Sequence, residues 1–209
     1  MSNTNTDVPV HDSLQVLEAT SLYRTDEWWK AVVTYQFDTN SDANETAVYL
    51  WHRDDDSWTR KNKYVVKTAE AWATDREIID QYIRSDPPSD VTMAFPVSDY
   101  YTVGVGETLF QNDNWWKAIV NIVEKGSYET NEGMVYLWQK QDGEWRRRQK
   151  YAIKSVSDWE EERAVIDEQL SLDEGVNVTV EADDVDDGIS GELATLDDEL
   201  DAHLSEEFT

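Results

Sequence analysis

The chain has no cysteine and little positive charge. Its 209 residues include 18 lysines and arginines, 45 aspartates and glutamates, and three histidines. The lack of cysteine excludes disulfides, thiolate chemistry and cysteine-based zinc sites. No stretch approaches the roughly 18 consecutive apolar residues that a membrane-spanning helix needs, and residues 1–20 lack the basic and apolar regions of a signal peptide. We therefore expect a cytoplasmic protein.

Motifs of catalysis and metal binding are also lacking. The sequence contains no P-loop, G-x-G-x-x-G, H-E-x-x-H or G-x-S-x-G pattern. No histidine occurs in both copies of the repeat described below. The run Asp54-Asp55-Asp56 is typical of a solvated turn, and residues 183–188 do not keep the register of a calcium loop. We therefore expect a protein that is not an enzyme and has no cofactor and no metal site.

What the chain does contain is one unit twice. Residues 21–83 align with residues 108–170 at a constant offset of 87 without a gap, and about 23 of the 63 pairs are identical. The most similar passages are Trp28-Trp29-Lys30-Ala31 with Trp115-Trp116-Lys117-Ala118, and Val48-Tyr49-Leu50-Trp51 with Val135-Tyr136-Leu137-Trp138. An equal-length repeat predicts one fold made twice and packed as an internal pseudo-dimer, in which a site in one copy has a counterpart in the other.

Each copy reads as four strands followed by a helix. Runs rich in aromatic and β-branched residues predict the strands, and polar clusters between them predict turns, among them Asp142-Gly143. The predicted strands are 14–23, 28–37, 47–53 and 58–67 in the first copy, with 101–110, 115–123 and the equivalents of the other two in the second. The fold class is therefore α+β: tandem duplicated ββββα repeats, each an antiparallel sheet covered by a helix.

The helix of the second copy has a start signal and an apolar stripe. Ser157-Asp158-Trp159-Glu160 matches a capping box, and Trp159, Ile166 and Leu170 share one face. In the first copy, Trp72, Ile79 and Ile83 repeat the stripe. The spacing also predicts ion pairs within each helix, Arg76 with Asp80 and Arg163 with Asp167.

The composition divides the chain into five parts. We expect an N-terminal arm at 1–11, repeat 1 at 12–83, a proline-containing linker at 84–98, repeat 2 at 99–170, and an acidic tail at 171–209. The tail holds 14 acidic residues and no lysine or arginine. Its composition predicts disorder, whereas leucines at helical spacing predict a short amphipathic helix.

The net charge of −27 is much larger than solubility requires. Acid-rich composition around an aromatic core is typical of proteins from salt-accumulating halophiles, so we expect a halophilic archaeal source. Molar salt shortens the Debye length to about 3 Å, which screens repulsion among the carboxylates.

Half of the cations lie in the two fourth strands, at residues 60–67 and 146–154. Strand alternation predicts that Lys61, Lys63 and Lys67 project together from one face, with Trp58 and Tyr64 on the other. On the third strand, it predicts that Tyr49 and Trp51 point outward. Aromatic rings and cations would then share one open sheet face, as single-stranded nucleic acid requires for base stacking and phosphate contacts.

The unit resembles the PUR-repeat and Whirly-like single-strand-binding families, in which paired ββββα repeats form a platform. The resemblance rests on the element order, the duplication, and the strand-to-helix passage from Lys63 to Trp72. It implies single-stranded DNA or RNA bound across the sheets. The candidate nucleic-acid-binding residues are Lys30, Tyr49, Trp51, Arg53, Lys61, Lys63, Lys67, Lys117, Tyr136, Trp138, Lys140, Arg146, Arg148, Lys150 and Lys154.

Two other interpretations of the same residues stay open. The aromatic face could meet a partner polypeptide, which would make the chain a protein-interaction or regulatory scaffold module. Alternatively, the rings could belong to the core or to the interface between the copies. Exposure of Tyr49, Trp51, Tyr136 and Trp138 distinguishes these cases, because buried rings cannot stack on bases.

Overall fold

The computed structural model describes residues 7–37, 44–66, 68–84, 95–97, 101–124 and 131–174. All of them belong to one compact unit, Met1–Val176. The second unit, Asn177–Thr209, lies outside the described residues, as do Lys67 and most of the linker. The predictions for the acidic tail, whether disordered or helical, therefore also fall outside them.

Two four-stranded antiparallel sheets form the body of the protein, and each is followed by one helix. Their strand orders are β1-β2-β3-β4 and β5-β6-β7-β8, which are simple meanders. The elements are β1 Leu14–Arg24, β2 Trp28–Phe37, β3 Asn44–Asp54, β4 Ser57–Val66, α1 Ala69–Arg84, β5 Tyr101–Gln111, β6 Trp115–Glu124, β7 Asn131–Gln141, β8 Glu144–Ile153 and α2 Val156–Glu174. The predicted α+β class with a duplicated ββββα arrangement is confirmed.

Equivalent turns connect the strands in both copies. The hairpin between β7 and β8 turns at Asp142 and Gly143, whose φ angles of 52° and 85° suit an Asp-Gly turn. Asp55 takes the same left-handed conformation in the first copy, with φ 53°. Between β1 and β2, the Thr25 hydroxyl accepts hydrogen bonds from the backbone N–H groups of Glu27 and Trp28.

The second helix begins two residues earlier than the predicted capping box requires, and the first begins at the equivalent residue. The Ser155 hydroxyl accepts a hydrogen bond from the Asp158 N–H at 3.1 Å, and Thr68 does the same for Ala71 in the first copy. These residues satisfy an otherwise unpaired donor of the first turn. Ser157 lies inside α2, so the predicted box at 157–160 was wrong.

The two copies share one core. It is formed by one face of each sheet, here called the inner face, and by the apolar stripes of both helices. The predicted stripe residues Trp72, Ile79, Trp159, Ile166 and Leu170 are all buried in it. Equivalent residues of the two copies meet inside this core, which is the mark of a two-fold interface. Tyr64 stacks on Tyr151 with ring centroids 5.0 Å apart, and Trp72 contacts Trp159 at 5.6 Å.

The opposite face of each sheet, here called the outer face, carries a second apolar cluster. In the first copy it contains Trp29, Tyr35, Tyr49 and Trp51, and in the second Trp116, Tyr136 and Trp138. Each sheet is therefore packed on both faces, although an antiparallel meander commonly leaves one face to solvent.

Candidate nucleic-acid interface

The fourth strands do not alternate regularly. In both copies the pairing with the third strand shifts by one residue, between Leu50 and Trp51 and between Leu137 and Trp138. Such a bulge moves the side chains beyond it to the other face of the sheet. Trp58 consequently packs on the outer cluster while Tyr64 lies in the shared core. The prediction that these two residues share a face was wrong.

The aromatic residues predicted to lie on an open face are buried. The exposed fractions are 2% for Tyr49, 0% for Trp51, 1% for Tyr136 and 1% for Trp138. They do point away from the shared core, as predicted, but they form the floor of the outer clusters. Rings without accessible surface cannot stack on bases in this conformation. The expectation of an open aromatic face was therefore wrong.

Two short segments help to cover these rings. Val8 and Val10 pack against the first outer cluster, and Phe95 and Val97 belong to the second. Residues 8 and 10 correspond to 95 and 97 at the same offset of 87, and a proline lies between them in both copies. The repeat therefore extends farther upstream than the alignment of residues 21–83 indicated. The signal was present in the sequence as Val8-Pro9-Val10 and Phe95-Pro96-Val97.

Cations lie over the outer rings. The Arg24 guanidinium is 3.9 Å from the Trp29 ring centroid, and the Lys63 ammonium is 5.4 Å from that of Tyr35. Arg53 and Lys140 lie farther out, at 6.0 Å from Trp58 and 5.6 Å from Trp145. These contacts attract the cations to the ring faces. Arg53, Lys63 and Lys140 therefore each contact an aromatic ring of the protein itself.

The two fourth strands, which with the residue after each carry half of the cations, are neighbours in the structure. β4 and β8 are neighbours, because Val65 N–H donates to the Gln149 side-chain oxygen at 3.1 Å and Tyr64 stacks on Tyr151. We call the cationic residues of these strands and the following residue 154 the basic seam. Its members are Arg60, Lys61, Lys63, Arg146, Arg147, Arg148, Lys150 and Lys154. Arg146 and Arg147 are exposed, whereas Arg148 donates to Gln139 and Lys61 pairs with Asp54 at 3.5 Å.

Lys30 and Lys117, two of the candidate binding residues, connect the two copies instead. Lys30 Nζ lies 2.5 Å from Glu162 Oε1 of α2, and Tyr151 also donates to Glu162. Lys117 Nζ lies 2.5 Å from Asp75 Oδ2 of α1, which accepts from Tyr64 as well. Each lysine thus pairs with the helix of the other copy, and Lys30, only 7% exposed, does not lie on an open sheet face.

Burial governs ionisation in these two triads. It lowers the pKa of Lys30, although the neighbouring Glu162 carboxylate opposes that change. Burial raises the pKa of Tyr64 and of Tyr151 well above the ordinary tyrosine value, and Asp75 and Glu162 add to the effect by repelling a phenolate. Both tyrosines therefore stay protonated as hydrogen-bond donors.

The helices are also joined by crossed pairs. Asp167 accepts from Trp72 Nε1 at 2.7 Å and from Arg76 at 2.6 Å. Asp80 accepts in the same way from Trp159 Nε1, at 2.6 Å, and from Arg163. The predicted pairs within each helix were wrong about the partner, because the pseudo-two-fold packing brings each arginine to the acid of the opposite helix.

A cleft of about 170 Å³ opens beside Lys30. Its lining includes Asn62, Lys150, Lys154 and Glu162. Ala152 lines it as well, so Asn62 and Ala152 form one junction between β4 and β8, and the equivalent residues Gln149 and Val65 form the other. At that second junction the longer Gln149 side chain accepts a hydrogen bond from the Val65 N–H. The two junctions therefore differ at both positions.

Among the described residues, no three histidine, aspartate or glutamate side chains converge as metal ligands would. None of the helices in that part of the chain combines the length and apolar character that crossing a membrane requires. Comparison with models of protein families, with curated proteins and with solved structures found no match to this chain.

Proposed function

We propose that this protein is a non-enzymatic binding protein that holds single-stranded nucleic acid along the basic seam. The observation that carries the proposal is the meeting of β4 and β8. Eight of the chain's 18 lysines and arginines thereby lie on or directly after two neighbouring strands, in a protein of net charge −27. The surrounding acidic surface would repel a polyanion everywhere else, so the seam is the favoured place for a phosphate chain.

The proposed mode of binding differs from the one that the sequence favoured. The rings of Tyr49, Trp51, Tyr136 and Trp138 are buried, so phosphate contacts must carry the affinity. β4 and β8 are edge strands of different sheets that contact each other, so a phosphodiester chain would follow the line along which the two sheets meet. The rival function, a protein-interaction module, is favoured by the peptide-like segments on both outer faces.

We further propose that the protein works in concentrated salt. Its acidic surface suits a halophilic cell, where screening limits the repulsion among carboxylates. Phosphate contacts weaken under the same conditions, because the release of counterions into concentrated salt gains less entropy. A long strip that makes several contacts at once would be needed to retain a useful affinity.

The test compares two double variants of equal charge. Arg146→Gln with Arg147→Gln removes two exposed cations from the seam, whereas Arg24→Gln with Arg84→Gln removes two from β1 and the end of α1. Binding of a labelled oligonucleotide is followed by fluorescence anisotropy across a KCl series in which circular dichroism shows native protein. The seam variant should reduce the slope of log K against log[salt] by about 1.4, since each single-strand phosphate contact contributes about 0.7.

The control variant should leave that slope unchanged. An equal loss in both variants would indicate that net charge alone matters and would contradict a localised interface. A preference for duplex over single strands would contradict the single-strand assignment. No binding by the wild-type protein at any of these salt concentrations would exclude the nucleic-acid function.

A further inference from the structure

The segments that help to cover the outer faces have the same local form. In this subsection they are called the straps, Val8-Pro9-Val10 and Phe95-Pro96-Val97. In each, the N–H of the last residue donates to the carbonyl of the first at 2.8 Å, closing a three-residue turn. The central proline fixes its own φ near −65°, close to the value that such a turn uses. The straps are thus short peptides held in a preorganised conformation.

In each copy, the residue of the outer face at position 19 or 106 has a size that complements the first residue of the strap. A Cβ added at Gly106 of β5 would lie 2.5 Å from Cε2 and 2.7 Å from Cζ of Phe95. The absence of a side chain at Gly106 therefore makes room for the large ring. In the first copy the equivalent residues are Ala19 and Val8, so a larger floor residue accompanies a smaller strap residue. Compensating sizes at equivalent positions indicate a built recognition site.

The floor of the first site contains a donor that the strap leaves unused. Trp51 is fully buried, and its Nε1–H finds no hydrogen-bond partner among the residues that the structure describes. An unsatisfied buried donor costs about 1–3 kcal/mol. A peptide that brought a carbonyl oxygen to this indole would recover that cost and would be favoured over the strap for that reason.

The charges around the face favour a particular kind of segment. Arg24 and Lys63 lie over its rings, and so does Arg53, which also pairs with Asp56 at 3.9 Å. The strap is flanked by Asp7 and Asp12, and Asp99 follows the second strap at the position equivalent to Asp12. A hydrophobic–Pro–Val sequence with adjoining acidic residues therefore matches both the apolar floor and its cationic surroundings.

We propose that the outer face of the first sheet is a binding site for an extended, acidic-flanked hydrophobic–Pro–Val segment of a partner protein, and that residues 8–10 occupy this site in cis. The partner segment and the strap compete. A short tether gives the strap an effective concentration in the millimolar range, so a partner binds in trans only when its affinity exceeds that competition or the strap is released. Function and regulation are then carried by the same face.

The experiment empties the site in the full chain. Val8→Ser with Val10→Ser removes the apolar anchors of the strap, and the probe is a capped hexapeptide with the sequence of residues 7–12. Tryptophan fluorescence reports binding, because Trp29, Trp51 and Trp58 line the face. The emptied variant should show saturable binding at least tenfold tighter than the wild type. The same peptide with both valines replaced by serine should not bind.

A blocked variant and a milder one complete the test. Adding Ala19→Leu to the emptied variant should abolish peptide binding by filling the floor, with the circular dichroism spectrum unchanged. If the emptied variant does not fold, Pro9→Gly loosens the strap while keeping its valines and should bind the peptide more tightly than the wild type. Folded variants with no response to the peptide would overturn the proposal. It would also be overturned if an oligonucleotide, and not the peptide, bound the emptied face.

Discussion

Gly106 lies directly beneath the ring of Phe95. Any side chain at this position would meet two ring carbons closer than 3 Å, and the Val120 methyl at 2.8 Å leaves no room on the other side. The constraint is one of volume, because no unusual backbone angle is recorded at Gly106. It therefore depends on the identity of the strap residue.

The contact between Gly106 and Phe95 can be tested by changing both residues. Gly106→Ala should lower the free energy of unfolding by about 1–3 kcal/mol through overpacking. Phe95→Val in addition should recover most of the loss, since the double variant reproduces the Ala19 and Val8 pair of the first copy. Urea unfolding followed by circular dichroism measures both. A double variant less stable than Gly106→Ala would show that the ring is not what the added methyl meets.

The passage Trp-Trp-Lys-Ala, which occurs in both copies, shows what residue patterns can and cannot predict. Its duplication correctly predicted that Lys30 and Lys117 have equivalent roles. That role is an ion pair across the pseudo-dimer, and no pattern within one copy identifies a partner more than 100 residues away, such as Glu162. Trp51 is similar: alternation predicted its face, but the segment that covers that face lies elsewhere in the chain.

At the level of elements, the two helices are joined because the arginine of each pairs with an aspartate of the other. Asp80 and Asp167 each accept an arginine and a tryptophan N–H from the opposite helix. The pairs are half-exposed, so they contribute specificity of pairing more than large stabilisation.

A double-mutant cycle separates the crossed arrangement from the pairing within one helix. Arg76→Ala and Asp167→Ala should couple by about 0.5–1 kcal/mol, whereas Arg76→Ala and Asp80→Ala should be additive within about 0.3–0.5 kcal/mol. Free energies of unfolding from urea titrations supply the four corners of each cycle. Stronger coupling for Arg76 with Asp80 would contradict the crossed pairs.

Element boundaries were predictable to within a few residues, because periodicity and turn residues act locally. The start of the second helix was the exception, although the sequence contained enough information to predict it. Ser155 has a capping counterpart in Thr68, while Ser157 is replaced by Glu70, which cannot play the same role at that place. Comparing the two copies at each position would have selected Ser155. The bulges in β4 and β8 had no such signal, since they depend on pairing with the third strands.

At the scale of the whole molecule, the two sheets meet around buried tyrosines. Burial raises the pKa of Tyr64, Tyr151 and Tyr35, so the folded protein keeps their protons when an unfolded chain would release them. Above the ordinary tyrosine pKa of about 10, the unfolded state therefore binds fewer protons, and stability falls as the pH rises. Lys30 acts in the opposite direction, but only below the ordinary lysine pKa of about 10.4.

The window that isolates the tyrosines therefore lies above about pH 10.5. There the free energy of unfolding should fall by about 1.4 kcal/mol per pH unit for each tyrosine that stays protonated. Urea midpoints at several pH values measure this slope, and Tyr35→Phe should make it shallower. Tyrosinate absorbance should rise together with the loss of structure. Complete tyrosine ionisation near pH 10 in protein that is still folded would contradict the buried placement.

The candidate interface was predictable in part. The concentration of cations in two equivalent strands was visible in the sequence, and duplication implied that the two sets are related by symmetry. That Val65 and Gln149 bring the strands together depends on the packing of two sheets, which no local pattern specifies. Whether the seam binds nucleic acid stays a prediction.

Asn62 and Gln149 can differ because the two copies are parts of one chain. In a dimer of identical chains, one codon sets the residue at both junctions, so a cleft that opens at one must open at the other. In this chain each junction has its own codon, and selection can act on one without altering the other. The cleft beside Lys30 is therefore a place where the two halves can take on different tasks while their common scaffold stays the same.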